Sequence, residues 1–384
     1  MKQLSAVPDW YDEFPIKPGL AYLNHAAVGV WPRRTAEAVK AFADENMVQG
    51  ASDYPRWMQV ERQLRMQLMR LINAESVDDI ALLKNTSEGL SLIAFGLDWR
   101  EGDNIVSSAQ EFPSNRMVWE ALRERGVELR LVDVESEDDP EDALERCMDG
   151  RTRLLSISSV QFASGFRLDL ERIGQACQRH DVLFCVDAIQ SLGALGFDVQ
   201  LCHADFVVAD GHKWMLGPEG VALFYSSPHA RDQLKLLQYG WHMAERMGDF
   251  ECTEWQPAKS ARRFEPGSPN QLGIQALHAS LSLIEEVGMP QVEHALLDKA
   301  NQLQHWIKSD ERLALTGCDQ PDRHSGIVSF RMHGLDATGH AGLYRGLMAN
   351  GVICALRAGS IRLSPHFYTS RDTISYFKDV LFKV

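Results

Sequence analysis

The sequence has no paired-cysteine motif, no long apolar run and no excess of positive charge, and each absence removes a class of function. Its seven cysteines (Cys147, Cys177, Cys185, Cys202, Cys252, Cys318 and Cys354) are scattered, odd in number and without CxxC or Cys/His ligand spacing. That usage fits reduced thiols in a cytosolic protein rather than a disulfide framework. No His, Asp and Glu cluster has metal-ligand spacing, so no metal is expected. No segment approaches the roughly 18–20 apolar residues needed to span a bilayer. The opening MKQLSAVPDWYDEF is polar and acidic, unlike a secretory leader. A cytoplasmic protein with no membrane partner is the expectation. Against 53 acidic residues there are only 39 basic ones, a formal charge of −14, which disfavours nucleic-acid partners. Neither a GK[ST] phosphate loop nor a GxGxxG fingerprint is present, so a bound nucleotide is not expected.

What is present is an ordinary globular composition: 384 residues, 45% hydrophobic and 24% charged. The length suits two or three domains. After an irregular N-terminal arm, RTAEAVKAFADENMVQ and WMQVERQLRMQLMRLIN carry apolar residues at helical spacing. Short β-rich runs then alternate with helical ones: IALLKN, NIVSSA, ELRLVDV, RLLSISSV, VLFCVDA and DFVVAD each lead towards or follow a helix. Alternation of this kind predicts βαβ units and a parallel sheet covered on both faces. After about Ser260 two long helices and a mixture of short strands and helices predict a smaller α+β domain. The expected divisions are an N-terminal arm (1–20), a large domain (21–260) and a small C-terminal domain (261–384).

In an open parallel sheet, ligands bind beyond the carboxyl ends of the strands. Five such ends here read NTSEG, QEFPSN, QFASG, DAIQ and DGHK. NTSEG starts a helix with hydroxyls in its first turn, which suits either a phosphate site or a plain helix cap. Asp187 directly follows an apolar strand, where a carboxylate is costly without a cationic partner. Lys213 ends the next strand. A lysine, a buried carboxylate and a phosphate site on one sheet edge fit pyridoxal 5′-phosphate, although a Lys–Asp ion pair joining two loops is the plainer alternative.

From YLNHAAVG through NTSEGL, VDAIQSLG, DGHKWMLGPEG and FEPGSPN to GSIRLSPHFYT, the chain resembles the class V aminotransferase family. That group includes cysteine desulfurases, kynureninase and isopenicillin N epimerase. The resemblance implies an α/β protein of PLP fold type I: a large domain with a mostly parallel, seven-stranded type of sheet, plus a small α+β domain. It implies a homodimer with active sites at the subunit interface. Lys213 would be the Schiff-base lysine and the proton carrier at the substrate α-carbon. Asp187 would face the pyridine nitrogen and Gln190 the phenolate oxygen. Thr86, Ser87 and His212 would hold the phosphate, with Ser268 reaching the neighbouring subunit's phosphate. Arg362 would clamp the substrate α-carboxylate. His25, Trp241 and Arg357 are candidates for lining the substrate pocket.

Departures from the family pattern bear on the reaction. Where desulfurases stack a histidine on the cofactor, this chain has Phe112, which stacks but moves no protons. The loop that carries their nucleophilic cysteine is short here, and Cys354 lies in an apolar run that reads as core. Asp210 stands where they have a hydroxyl, so it is expected to pair with a cation or point away from the phosphate. The expectation is a PLP enzyme acting on a small α-amino acid through an external aldimine, by aminotransferase or epimerase chemistry. The alternatives are a cysteine desulfurase or selenocysteine lyase type, another β/γ-lyase, or a catalytically silent regulatory protein.

Overall fold

The computed structural model describes residues 10–384. Residues 1–9, the first part of the expected arm, lie outside the described residues. The chain then runs through a short strand, β1 (Ala21–Tyr22), into two helices, α1 (Arg33–Gln49) and α2 (Tyr54–Leu71). Helix α2 follows its sequence period: Trp57, Val60, Leu64 and Leu68 are all buried.

Seven strands form the central sheet: β2 (Ile80–Leu83), β3 (Asn104–Ser108), β4 (Glu128–Val132), β5 (Thr152–Ser158), β6 (Leu183–Asp187), β7 (Phe206–Asp210) and β8 (Ala222–Ser226). Their order is β2-β8-β7-β6-β5-β3-β4. The steps from β7 to β4 are parallel, and only β8 runs antiparallel to its neighbours. Alternate residues feed two different cores. Phe184, Val186, Val207 and Ala209 enter one cluster; Cys185, Phe206 and Val208 enter the other. A strand buried on both faces has no polar alternation to show, which explains the continuous apolar runs. Helices α3 (Thr86–Gly96), α4 (Ser114–Glu120), α5 (Pro140–Arg146), α6 (Leu170–His180) and α7 (Pro228–Gln233) lie between these strands or just after them. The mostly parallel α/β sheet expected from the sequence is what the chain forms.

Helix α8 (Gln271–Val287) lies against α1 and α2, and α9 (Met289–Ser309) continues beyond it. The remaining elements are β9 (Leu313–Leu315), β10 (Val328–Met332), α10 (Ala337–Ala349), β11 (Val352–Ile353), β12 (Ala355–Arg357), β13 (Ser360–Leu363) and α11 (Arg371–Leu381). Strands β12-β13-β10-β9 make an antiparallel sheet. Phe330, Ile361, Leu363 and Phe377 fill a third core beneath it, with Leu303 and Ile307 of α9. Strand β1 pairs in parallel with β11, which ties the start of the described chain to this C-terminal part. Among the described residues no helix is long and apolar enough to cross a membrane.

Candidate active site

The segments that follow β2, β3, β5, β6 and β7 open on one cavity of about 340 Å³. Strand β7 is buried throughout, so its chain exits at Asp210 and turns through His212 to Lys213. Gly29 seals that turn from the N-terminal side, its N–H donating to the His212 carbonyl at 2.7 Å. A Cβ at Gly29 would lie 2.2 Å from the Lys213 carbonyl oxygen, so no larger residue allows this approach. Lys213 is only 9% exposed. Its Nζ lies 5.6 Å from the centre of the Phe112 ring. Burial pushes its amine below the ordinary lysine range; Asp187 opposes that shift and Arg362 adds to it.

Asp187 closes β6 and is buried, accepting the Ile189 N–H at 3.1 Å. Burial pushes its carboxyl well up, and the charge of Glu111 adds to the effect. Gln190 is held from both sides. Trp214 donates its indole N–H to Gln190 Oε1 at 2.8 Å, and Gln190 Nε2 donates to the Ala26 carbonyl at 3.1 Å. Indole only donates, so the amide orientation is fixed, and the second N–H on Nε2 is left for the cavity.

Helix α3 starts one residue earlier than its hydroxyls suggest. Asn85 is the cap, accepting the Glu88 N–H at 2.9 Å. That leaves Thr86 and Ser87 for other partners. Thr86 Oγ1 accepts the Asp210 N–H at 3.1 Å, and Ser87 donates to Ser114 Oγ at 2.9 Å. Asp210 itself faces His212, with Oδ1 and Nδ1 3.0 Å apart. The pair is misaligned for a hydrogen bond, and neither atom has another partner. The group that Asp210 faces is therefore the His212 ring.

Arg357 and Arg362 reach the cavity from the C-terminal sheet. Arg362 is 1% exposed, yet only Nη1 is satisfied, donating to the Phe162 carbonyl at 2.6 Å. Its Nε and Nη2 have no partner. Burial, with Arg357 adding, pushes the guanidinium down to about 9. A buried guanidinium with open donors is costly until an anion meets it. Phe112 stands at the rim, edge-on to Phe162 with ring centres 5.2 Å apart.

Three expected residues are not brought to this cavity. His25 does not line this cavity. It is fully buried, with Nδ1 2.9 Å from the Ser364 carbonyl and Nε2 2.6 Å from the Tyr368 hydroxyl, bonds that turn the ring away while Ala26 and Ala27 line the wall. Trp241 sits 39% exposed in a surface cleft with Tyr239, Phe250 and Trp255, so it lines nothing around Lys213 in its own chain. Ser268 faces a second cavity on the far side of residues 84–88, because Glu265 pins its loop to Arg65 at 2.6 Å and 2.7 Å.

One supporting residue escaped the sequence reading. Glu111 is buried and accepts from the Ser158 N–H and hydroxyl, from Asn115 at 2.9 Å and from Gln161 at 3.2 Å. It fixes the loop that presents Phe112. Its only signal was a carboxylate beside a phenylalanine in QEFPSN, which looks the same as an exposed loop acid.

The chain is similar to known proteins over nearly its whole length. A probable cysteine desulfurase from Methanothermobacter thermautotrophicus is 30% identical over 390 residues, covering 96% of both chains. An uncharacterised aminotransferase, YcbU, of Bacillus subtilis is 28% identical, covering 97% of both. Among solved structures, a lysine-to-alanine mutant of C-DES, with glycine covalently linked to its PLP cofactor, superposes with a TM-score of 0.89 at 24% identity, over 97% of this chain and 99% of that one. This likeness supports fold type I. The class-V aminotransferase family model matches residues 21–377, and the chain belongs to that family, which uses pyridoxal 5′-phosphate.

Proposed function

We propose that this protein is a PLP-dependent C–S lyase, removing a thiol from the β-carbon of a small α-amino acid. Relatives named as cysteine desulfurases point to sulfur chemistry rather than to the transamination or epimerisation first expected from the sequence. The observation that carries the proposal is that none of the seven cysteines lines the cavity. Cys354, nearest in sequence to the arginines, is 1% exposed, and burial pushes its thiol up to about 12. Without a thiol to take sulfur from the substrate, the sulfur leaves by elimination.

The side chains fit the cofactor: Arg362 has open buried donors, Gln190 has a spare N–H, and an α-helix N-terminus with two hydroxyls stands across the cavity. When bound, PLP supplies an electrophilic carbon for amines and a ring that accepts the electron pair of the broken Cα–H bond. Asp187 would pair with the ring nitrogen. Thr86, Ser87, His212 and the α3 N-terminus would hold the phosphate. Arg362 would grip the α-carboxylate in a fork. Lys213 would be the covalent anchor, and its depressed amine would then take the Cα proton. The C–S electron pair leaves with sulfur, which gains a proton, and hydrolysis of the remainder gives pyruvate and ammonia. Phe112 would cover the ring and exclude water.

The proposal extends to a cytoplasmic homodimer, with Ser268 and Trp241 serving the neighbouring subunit's site, and to the domain division 21–260 and 261–384. Exposed Tyr239 (65%), Phe250 (79%) and Trp255 (52%) beside Trp241 support a covered surface there. The test is borohydride reduction of the holoenzyme with peptide mapping, followed by product analysis with L-cysteine and L-cystine. An adduct on Lys213 and formation of pyruvate with ammonia are expected. Alanine with protein-bound sulfur, or a keto acid that forms only with an amino acceptor, would overturn the elimination reading.

A further inference from the structure

We propose that Arg357 makes the cavity selective for amino acids whose side chain carries a second carboxylate. The inference rests on the reading of Arg362 as the α-carboxylate site and names the substrate class.

The argument starts from strand register. Strands β12 and β13 form a hairpin in which Ala355 pairs with Arg362 and Arg357 with Ser360. Directly opposed residues point to the same face of a sheet. Arg357 and Arg362 are therefore diagonal neighbours on one face, and that face looks into the cavity. The turn joining them is only Ala358 and Gly359, both left-handed, with φ of 47° and 74°. Alanine there costs about 1 kcal/mol or more against glycine, so the chain accepts strain to close the tightest turn. The same shortness excludes a longer loop from this wall.

Charge accounting then shows what the wall lacks. The cavity has two carboxylates, and both have a nitrogen partner: the Asp210 oxygen faces the His212 ring at 3.0 Å, and Asp187 shares its end of the cavity with Lys213. Among the described residues neither arginine forms an ion pair with a carboxylate. The hydrogen bond of Arg357 is to the carbonyl of its own neighbour, Leu356, at 2.9 Å. Two guanidiniums side by side repel, in a protein whose formal charge is −14 overall. One α-carboxylate satisfies one of them. The second is placed one diagonal step away, where a side chain extending from the same α-carbon would arrive. The phosphate-binding features lie across the cavity on α3 and β7, so they do not account for Arg357.

The experiment uses the holoenzyme and the isosteric pair L-aspartate and L-asparagine, with affinity read from the cofactor absorbance. Wild type should bind aspartate about tenfold or more tightly than asparagine, the range of one charge-assisted contact. Arg357→Gln should bring the ratio close to unity. Arg357→Lys, a point charge without the fork, should give an intermediate ratio. Thermal stabilisation by succinate, which has no amino group, should follow the same order. A wild-type ratio near one would overturn the inference. So would an Arg357→Gln variant that keeps the ratio but releases PLP, since Arg357 would then serve the phosphate. Acid selectivity together with no pyruvate from L-cysteine or L-cystine would instead sink the lyase reading and leave this one standing.

Discussion

The indole of Trp214 and the amide of Gln190 hold each other in place, Nε1 to Oε1 at 2.8 Å, one residue after Lys213. Trp214→Phe leaves that oxygen buried and unpaired, at a cost of about 1–3 kcal/mol. The urea midpoint should fall accordingly. Adding Gln190→Met removes the orphaned oxygen but unpairs the Ala26 carbonyl, so the double variant should lose less than the sum of the two single losses. A double-mutant cycle that proved strictly additive would deny the coupling.

Glu111 faces donors only: the Ser158 N–H and hydroxyl, Asn115 and Gln161. Glu111→Gln therefore points an amide N–H₂ at other donors. The expected loss is about 3 kcal/mol, together with a shifted cofactor circular dichroism as Phe112 loosens. Chemical unfolding and near-visible dichroism check the two parts separately.

His25 gives the protein an acid-sensitive seam. Its ring is fully buried, and burial lowers it from 6.5 to about 4. The folded chain keeps His25 neutral where the unfolded chain already binds a proton. Stability that is complete above pH 6.5 is thus lost as pH falls towards 4, by about 3 kcal/mol for this group. His366, also pushed down by burial, acts in the same direction. His25→Gln should flatten the dependence of the unfolding midpoint over this window, and an unchanged slope would contradict the assignment.

Thiol chemistry should be separable from turnover. Cys147 and Cys252 are the half-exposed cysteines, so iodoacetamide should label them first and leave pyruvate formation intact. Cys354→Ser should lower stability by about 1–3 kcal/mol, by burying a hydroxyl among apolar groups, while product formation continues. Loss of turnover on alkylation of Cys354 would restore a role for an enzyme thiol.

Much of the centre was legible because strand chemistry is local. An apolar run ending in Asp187, and another ending at Asp210 just before Lys213, announce where a parallel sheet presents its polar ends. Arg362 was named from the family resemblance and Arg357 as a second positive charge near it. What the sequence concealed depends on direction. His25 and Trp241 have the right composition for a pocket, but hydrogen bonds to Ser364 and Tyr368 turn one inward, and a short turn at Trp241–Met243 leaves the other outside. The antiparallel placement of β8 and the role of Glu111 are long-range facts that no local pattern carries.

The pairing of β1 with β11 has a consequence for biosynthesis. Ala21 meets Val352, a separation of 331 residues (352 − 21). On the ribosome, β1 must wait for its partner until β11 has emerged. The lysine end of the cavity is synthesised well before the two arginines, and Gly29 seals it from a segment anchored by that late strand. A nascent chain released early would carry Lys213 without the wall that confines it. The cavity around Lys213 is complete only once the segment carrying Arg357 and Arg362 has joined it.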